Sequence, residues 1–331
     1  MKILILILAA LIMGIGIGFF AGRQNFDLSL DKTEPNGYSL RRQEGYQFIN
    51  PLLECEISQD QEFKEYISLR KSLESYITEV KSKNIVTEVS VYFRDLNNGP
   101  WFGIEEKAEF SPASLFKIPT MITYFKLSES DSEVLNKMLT YDGGEDLNAN
   151  ENIKSEIQLE KGKQYTVDEL IARMIIYSDN NARELLGKNI DESVQNQIYE
   201  DLGLDIPGVV SIEDYTSVRN YASFFRILYN ATYLSRDMSE KALELLSRIE
   251  FDKGLRAGVP EDTLVAHKFG ERVYPNGGSN QLHDCGIVYH KKTPYVICIM
   301  TRGYEIEQLV SVIKEISSRT YSFVDKNPSK N

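Results

Sequence analysis

The chain has 331 residues, with 37 Lys and Arg against 49 Asp and Glu, and a net charge of −12 at pH 7. That length suits one large domain or two ordinary ones, and 42% hydrophobic residues with 19 Tyr and 15 Phe are typical of a globular protein. The negative charge argues against a nucleic-acid backbone as a partner.

Residues 3–22 form an apolar run that contains no charged side chain. Twenty such residues can span a bilayer, whereas the core of a signal peptide is usually shorter. No clear A-x-A cleavage signal follows the run. The sequence therefore predicts an uncleaved N-terminal membrane helix within 1–22, with the rest of the chain outside the cytoplasm, in the periplasm or on the cell surface. The alternative is a cleaved signal and a secreted protein.

Residues 23–58 are polar and turn-rich, as in a spacer between a membrane and a folded domain. Apolar residues then recur at helical spacing through 60–82, which predicts an amphipathic helix. A strand-like stretch at 86–94, a turn at 97–100 and a second apolar stretch at 101–104 predict a β-hairpin.

Ser114 and Lys117 follow this hairpin, with Pro112 just ahead of them. At this spacing their side chains lie on one face of a helix, one turn apart. The helix continues with apolar residues nearly all round, so it is expected to be buried. Burial and a nearby cation favour neutral lysine, which can take the proton of a serine hydroxyl. An S-x-x-K pattern alone also occurs by chance, so this interpretation depends on motifs further along the chain.

Residues 128–165 are acidic and weakly periodic, which predicts a polar loop region with one short helix. A capping box at Thr166 and Glu169 begins a helix that is interrupted at 177–181. The remaining predicted elements are helices at 191–201, 215–230 and 239–249, strands at 264–269, 285–289 and 295–300, and a terminal helix at 305–321. This order predicts one antiparallel sheet closed by both ends of the chain, with a mostly helical lobe inserted.

Three cysteines, Cys55, Cys285 and Cys298, are too few for a disulfide framework. Cys285 and Cys298 flank a predicted hairpin and could meet on neighbouring strands, but isolated buried thiols are the favoured interpretation. The three histidines show no metal-ligand spacing and no G-x-S-x-G accompanies them, which argues against a Ser-His-Asp hydrolase. The sequence implies no metal and no organic cofactor.

Three short motifs stand in order along the chain: Ser114-x-x-Lys117, Ser178-Asp179-Asn180 and Lys268-Phe269-Gly270. Their order and flanking residues resemble the penicillin-recognising serine hydrolases, most closely the class A β-lactamases and their membrane-anchored relatives. The resemblance covers roughly 60–322. It implies an α/β fold of the α+β type, in which helices flank a five-stranded antiparallel sheet and an all-helical lobe is inserted. The hydrolase domain would occupy 59–331.

The resemblance also implies roles for the first two motifs. Ser114 would be the nucleophile that becomes acylated, and Lys117 its proton partner. Ser178 would be the proton-shuttling hydroxyl, and the side-chain amide of Asn180 would meet the acyl-amide of the substrate. Asp179 is expected to be structural, bonding local backbone N–H groups.

The third motif would complete the substrate site. Lys268 would bring a cation toward the substrate carboxylate and the Ser178 hydroxyl, and would lower the pKa of Lys117 by like-charge repulsion. Gly270 ends the motif. The backbone N–H groups of Ser114 and Glu271 would form the oxyanion hole.

The chain departs from the family pattern at two places. Phe269 stands where the family carries a Thr or Ser that binds the substrate carboxylate; either its ring lines the site or it points into the core. No E-x-x-L-N segment lies between Asn180 and Lys268 to supply the base that activates the deacylating water. Glu213 is the best positional substitute, and a solvated loop carboxylate is the alternative. There is also no clear arginine near Cys285, where several family members use one to bind the substrate carboxylate.

The sequence thus predicts an extracytoplasmic serine hydrolase that forms an acyl-enzyme, with β-lactam hydrolysis as its activity. One alternative is a D-Ala-D-Ala carboxypeptidase or another cell-wall amidase that acts on a peptidoglycan peptide. Another is a penicillin-binding sensor domain that is acylated once and stays acylated. The expected partners are these small molecules and, through the N-terminal helix, a membrane.

Overall fold

The structure, a computed structural model, describes residues 38–42, 45–57, 64–97, 99–149, 151–153, 157–203, 213–274 and 278–327. Within these residues it contains eight α-helices and nine β-strands. The helices are α1 (Ile67–Ser82), α2 (Lys117–Ser128), α3 (Val167–Ile176), α4 (Asn180–Gly187), α5 (Glu192–Asp201), α6 (Val218–Asn230), α7 (Arg236–Ser247) and α8 (Ile306–Lys326). The strands are β1 (Tyr38–Arg42), β2 (Leu52–Ile57), β3 (Glu88–Asp95), β4 (Trp101–Ile104), β5 (Met138–Thr140), β6 (Gln164–Thr166), β7 (Val265–Arg272), β8 (Asn280–Val288) and β9 (Tyr295–Gly303).

Five strands form one antiparallel sheet in the order β4-β3-β9-β8-β7. The first two come from the N-terminal hairpin and the last three from the end of the chain, with helices α2 to α7 between them. This confirms the predicted α+β fold with an inserted helical lobe. Strands β1 and β2 pair in a two-stranded sheet, as do β5 and β6. The hydrolase fold lies in one compact unit, Arg41–Leu53 with Glu62–Asn331.

Successive residues of the central strands enter two different hydrophobic cores. In β9, Ile297 and Ile299 pack in the core that includes α1 and α8, whereas Cys298 and Met300 pack in the core that includes the helical lobe. Side chains alternate across a strand, so a strand covered on both faces needs apolar residues at every position. This explains why β9 reads as one continuous apolar run.

A disulfide joins Cys285 on β8 to Cys298 on β9, which corrects the interpretation of these cysteines as isolated thiols. The two residues are direct partners in the strand register, with their Cα atoms 3.9 Å apart. The sequence placed them on neighbouring strands, but it did not give the register that sets them opposite one another.

Two other segments differ from the sequence prediction. Residues 45–51 fall within the expected spacer, yet Phe48 and Ile49 are buried and their backbone N–H groups donate to the Glu240 carboxylate on α7. The predicted polar region at 128–165 contributes β5 and most of β6, and its helical piece is a single 3₁₀ turn, Ser132–Val134.

The predicted N-terminal membrane run at 3–22 lies outside the described residues. Within the part of the chain that the structure describes, no helix is both long and apolar enough to cross a bilayer.

Candidate active site

Ser114 lies on a 3₁₀ turn, Ala113–Phe116, that leads into the buried helix α2. Strand β7 approaches this turn closely at Gly270. A Cβ atom added to Gly270 would lie 3.1 Å from both the Pro112 carbonyl oxygen and the Leu115 backbone nitrogen. Because both are backbone atoms, a larger residue at this position would require the turn to move by a few tenths of an ångström, whereas glycine brings Glu271 to the Ser114 turn without that shift.

Lys117 connects the first motif to the second. Its Nζ atom lies 2.6 Å from Ser114 Oγ, 3.0 Å from Ser178 Oγ and 2.6 Å from Asn180 Oδ1. It also donates to the Ser178 backbone carbonyl at 2.7 Å. The structure thus brings four of the predicted site residues together around one amine.

Ser178 also receives the third motif. Lys268 Nζ donates to Ser178 Oγ at 2.9 Å, so the hydroxyl lies between two lysines. Ser178 has a φ of 57°, and Ala113, which precedes Ser114, has a φ of 47°. Such left-handed conformations of non-glycine residues are costly and are often found at functional sites.

Asp179 stabilises the backbone that follows Ser178. Its carboxylate caps α4 by accepting from the backbone N–H groups of Asn181 and Ala182 at 2.8 and 3.2 Å. The amide of Asn148 donates to the same oxygen at 2.9 Å. These contacts are the structural role expected of Asp179.

Both lysines of the site are buried, with 1% of Lys117 and 0% of Lys268 exposed. The pKa of Lys117 is lowered to about 7, with burial as the largest cause; Glu151 opposes the shift, the Arg183 guanidinium adds to it, and Asp179 and Glu271 oppose it. Burial, followed by the charge of Lys117, also lowers the pKa of Lys268 well below its ordinary value. Desolvation is therefore a larger cause of the low Lys117 pKa than the like-charge repulsion that the sequence suggested.

A groove of about 670 Å³ opens at this cluster. Its lining includes Ser114, Lys117 and Asn180 together with the charged side chains of Glu151, Arg183, Glu213, Glu271 and Arg272. Ser178 and Lys268 are not among the lining residues, and Ser178 contacts both Lys117 and Lys268.

Glu213, the proposed substitute base, lines the groove but is exposed and bonded elsewhere. Its carboxylate accepts from Arg272 Nη2 at 3.4 Å and from the Tyr274 hydroxyl at 3.1 Å. Among the described contacts, none joins Glu213 to Ser114 or Lys117. The carboxylate is thus engaged by a cation and a phenol at the edge of the site.

Phe269 does not line the groove, in contrast to the interpretation that its ring meets the substrate. The ring is 4% exposed and packs on Phe251 with 4.4 Å between the centroids. Ile153 and Tyr177 border the same space. Glu271 on β7 accepts from the backbone N–H of Ile153, so the Ile153 segment lies beside this strand. The core alternative therefore describes Phe269.

Sequence reasoning missed Glu151, which the structure places in the groove beside the second motif. Glu151 Oε1 accepts from Asn180 Nδ2 at 2.9 Å, and Asn180 Nδ2 also donates to the Leu147 carbonyl at 3.2 Å. The amide of Asn180 therefore points its oxygen at Lys117 and its nitrogen at Glu151. No local signal separates Glu151 from the other carboxylates of the acidic region.

The side chain of Glu271 holds the Glu151 segment in place. Glu271 Oε1 accepts from the backbone N–H groups of Asn152 and Ile153 at 2.7 and 2.9 Å. Burial, and after it the hydrogen bond between the two carboxyl groups, raises the pKa of Glu151 to about 7. The sequence assigned only the backbone N–H of Glu271 to the site and gave its side chain no role.

The arrangement suits nucleophilic chemistry. A hydroxyl that touches a desolvated amine can lose its proton to that amine, and a second hydroxyl between two lysines can pass a proton to a leaving group. Within the described ranges, no three His, Cys, Asp or Glu side chains are grouped so that they could hold a metal ion.

The chain belongs to the beta-lactamase enzyme family, whose model matches residues 71–324. The family match, together with the fold, makes the protein a β-lactamase-like serine hydrolase. No curated protein matches the chain.

Several solved structures share the fold at low sequence identity. PBP-A is 22% identical with a TM-score of 0.65, over 78% of this chain and 97% of that chain. The extended-spectrum β-lactamase TLA-1 is 16% identical with a TM-score of 0.67, over 79% and 99%. A β-lactamase from Xanthomonas campestris is 18% identical with a TM-score of 0.63, over 77% and 98%.

Proposed function

We propose that the protein is an extracytoplasmic hydrolase that forms an acyl-enzyme on Ser114 and hydrolyses the amide bond of β-lactams. The observation that carries this proposal is the contact of Lys117 Nζ with both Ser114 Oγ and Ser178 Oγ. Burial favours the neutral amine, which is the form able to accept the Ser114 proton. A variant of PBP-A, which has this fold, forms an acyl-enzyme complex with penicillin G.

Acylation would use the three motifs in turn. Ser114 Oγ attacks the amide carbonyl carbon as its proton passes to Lys117. The backbone N–H groups of Ser114 and Glu271 receive the oxyanion. The carbon–nitrogen bond then breaks, and the proton on Lys117 passes through the Ser178 hydroxyl to the leaving nitrogen. Lys268 holds the Ser178 oxygen in place for this transfer.

The extracytoplasmic location is part of the proposal. It is supported by the apolar run at 3–22 and by the Cys285–Cys298 disulfide, because disulfides persist mainly in oxidising compartments outside the cytoplasm. Fractionation of cells should recover the full-length chain with the membranes. Soluble protein that begins near residue 23 would instead show a cleaved signal.

Turnover assays separate this function from its rivals. The proposed activity predicts continuous hydrolysis of a chromogenic cephalosporin by the wild type and none by Ser114→Ala. Release of D-Ala from a peptidoglycan pentapeptide without cephalosporin turnover would identify the alternative carboxypeptidase. Stoichiometric labelling without turnover of either compound would identify a penicillin-binding sensor.

A further inference from the structure

Hydrolysis of an ester on Ser114 needs a base that takes a proton from the attacking water. The residue that the sequence suggested, Glu213, is held by Arg272 and Tyr274 on an exposed part of the groove. A base in this site must lie in the groove, have a fixed orientation and be able to accept a proton near neutral pH.

Glu151 meets these requirements through the contacts around it. It lines the same groove as Ser114 and Lys117. A chain of hydrogen bonds leads from Glu151 Oε1 to Asn180 Nδ2, from Asn180 Oδ1 to Lys117 Nζ, and from Lys117 Nζ to Ser114 Oγ, with distances of 2.9, 2.6 and 2.6 Å. The carboxylate is thus oriented by the same amide that orients the lysine.

We propose that Glu151 is the general base that activates water for hydrolysis of the acyl-enzyme, and that Glu271 positions it. This inference rests on the proposed function, since it concerns the fate of the ester on Ser114. It assigns the base to the loop that precedes the second motif, and not to the segment between the second and third motifs.

The chemical step balances within the site and its solvent. The water oxygen bonds to the ester carbonyl carbon while its proton passes to the Glu151 carboxylate. The bond from that carbon to Ser114 Oγ then breaks, and the proton on Glu151 passes through water in the groove and the Lys117 amine to Oγ. The carboxylic acid product leaves, and Glu151, Lys117 and Ser114 are again a carboxylate, a neutral amine and a hydroxyl.

Glu271 contributes both a tether and a charge. Its Oε1 atom holds the backbone of Asn152 and Ile153, directly after Glu151. Its carboxyl group is also hydrogen-bonded to that of Glu151, which raises the pKa of Glu151. The cations Lys117 on α2 and Lys268 on β7 also interact with Glu151, and Arg183 and Asp179 line the same cavities as Glu151.

The test separates formation of the acyl-enzyme from its decay. The full-length chain is mixed with benzylpenicillin, excess drug is removed, and intact-mass spectrometry follows the adduct over time. Glu151→Gln should still form the adduct, which shows that its site is folded, but the adduct should decay about 10²–10⁴-fold more slowly. The matched control is Glu145→Gln, an exposed glutamate of the same loop that does not line the groove, and it should decay like the wild type.

A pH profile provides a readout that a purely structural role would not produce. Wild-type decay should accelerate as the pH rises through about 7, because only the ionised carboxylate accepts a proton. Glu271→Gln keeps the oxygen that tethers Asn152 and Ile153 but removes the carboxyl group that, after burial, contributes most to raising the Glu151 pKa. Its decay profile should therefore shift to lower pH.

The outcomes distinguish the inference from the function on which it rests. If the wild type forms no adduct, the proposed function fails and the inference fails with it. If the wild-type adduct forms, and Glu151→Gln decays at the wild-type rate, only the inference is overturned. The inference would also be overturned if the adduct decayed slowly in Glu213→Gln and at the wild-type rate in Glu151→Gln. A pH profile of adduct decay that is the same in Glu271→Gln as in the wild type would overturn it as well.

Discussion

Lys117 is a buried lysine whose four polar contacts do not include a carboxylate. A charged lysine is costly in such a place, and the cost appears as a pKa lowered to about 7 by burial. Burial therefore favours the neutral amine, which is the form that the proposed mechanism requires as a base.

The rate of acylation should follow this titration. Neutral Lys117 accepts the Ser114 proton, and the neutral form dominates above its pKa of about 7. The rate of adduct formation with benzylpenicillin should therefore rise between pH 5.5 and 8 and then level off. Stopped-flow or quenched mass spectrometry measures this rate. A rate that is constant over this range would contradict the assignment, and Lys117→Ala should slow acylation by about 10²–10⁴-fold at pH 8.

Phe269 should act through stability and not through substrate choice. Its ring is buried against Phe251 and is absent from the groove. Phe269→Leu should lower the free energy of unfolding by about 1–3 kcal/mol. The ratio of kcat/KM for a penicillin to that for an uncharged ester should stay within about threefold. A change of tenfold or more in this ratio, about 1.4 kcal/mol, would instead show that Phe269 affects substrate binding.

The sequence predicted the site residues that lie in motifs and missed those that reach the site through tertiary structure. Ser114 and Lys117 are one helical turn apart, so their contact follows from local geometry. Glu151 reaches Asn180 through a loop whose course depends on Glu271, more than 100 residues away in the chain. No property of the loop alone encodes that contact.

Strand β7 and the Ser114 turn form the part of the site that depends most on backbone packing. Gly270 lies where they approach one another closely, with the Pro112 carbonyl and the Leu115 nitrogen each 3.1 Å from where a Cβ would stand. In the proposed mechanism, this approach brings the backbone N–H groups of Ser114 and Glu271 to one oxyanion.

Gly270→Ala should therefore impair acylation. Relief of the overlap would separate β7 from the turn, and overpacking of this kind costs about 1–3 kcal/mol. Adduct formation should slow by roughly tenfold or more. The control is Gly187→Ala at the end of α4, where an added Cβ meets nothing within 4 Å. Equal acylation rates for the two variants would show that the close approach is not needed.

The disulfide between β8 and β9 should stabilise the sheet without taking part in the chemistry. A cross-link that closes a loop of about this length typically contributes about 3 kcal/mol, and the separation here is 13 residues. The double variant Cys285→Ala/Cys298→Ala should melt at a lower temperature yet acylate at the wild-type rate. A mass increase of about 2 Da on reduction checks the bond, and an unchanged melting temperature would remove its stabilising role.

Strand and helix patterns predicted most of the fold because most elements carry a hydrophobic pattern of their own. The terminal helix and β9 show this, since Leu309, Val310 and Ile313 recur at helical spacing while β9 is apolar from residue 295 to residue 300. The hydrophobic pattern of a strand does not show which residue of the neighbouring strand lies opposite each of its residues. The Cys285–Cys298 pair and the β5–β6 pairing within the acidic region both depend on register, and the sequence predicted neither.

The whole molecule is arranged so that both ends of the chain complete one sheet. Strands β3 and β4 enter before the helical lobe, and β7 to β9 return after it. The site lies where the lobe meets the sheet, since α2 and the segment before α4 supply two motifs and β7 supplies the third. The sheet and the helical lobe must therefore both fold before the three motifs can act together.

Covalent labelling of Ser114 tests the central claim most directly. Full-length wild type and Ser114→Ala are each exposed to benzylpenicillin, and intact-mass spectrometry is followed by peptide mapping. The wild type should gain one penicilloyl group on the peptide that contains Ser114, and Ser114→Ala should gain none while keeping its melting temperature. Labelling that persists in Ser114→Ala, or that maps to another peptide, would contradict the assignment of the nucleophile.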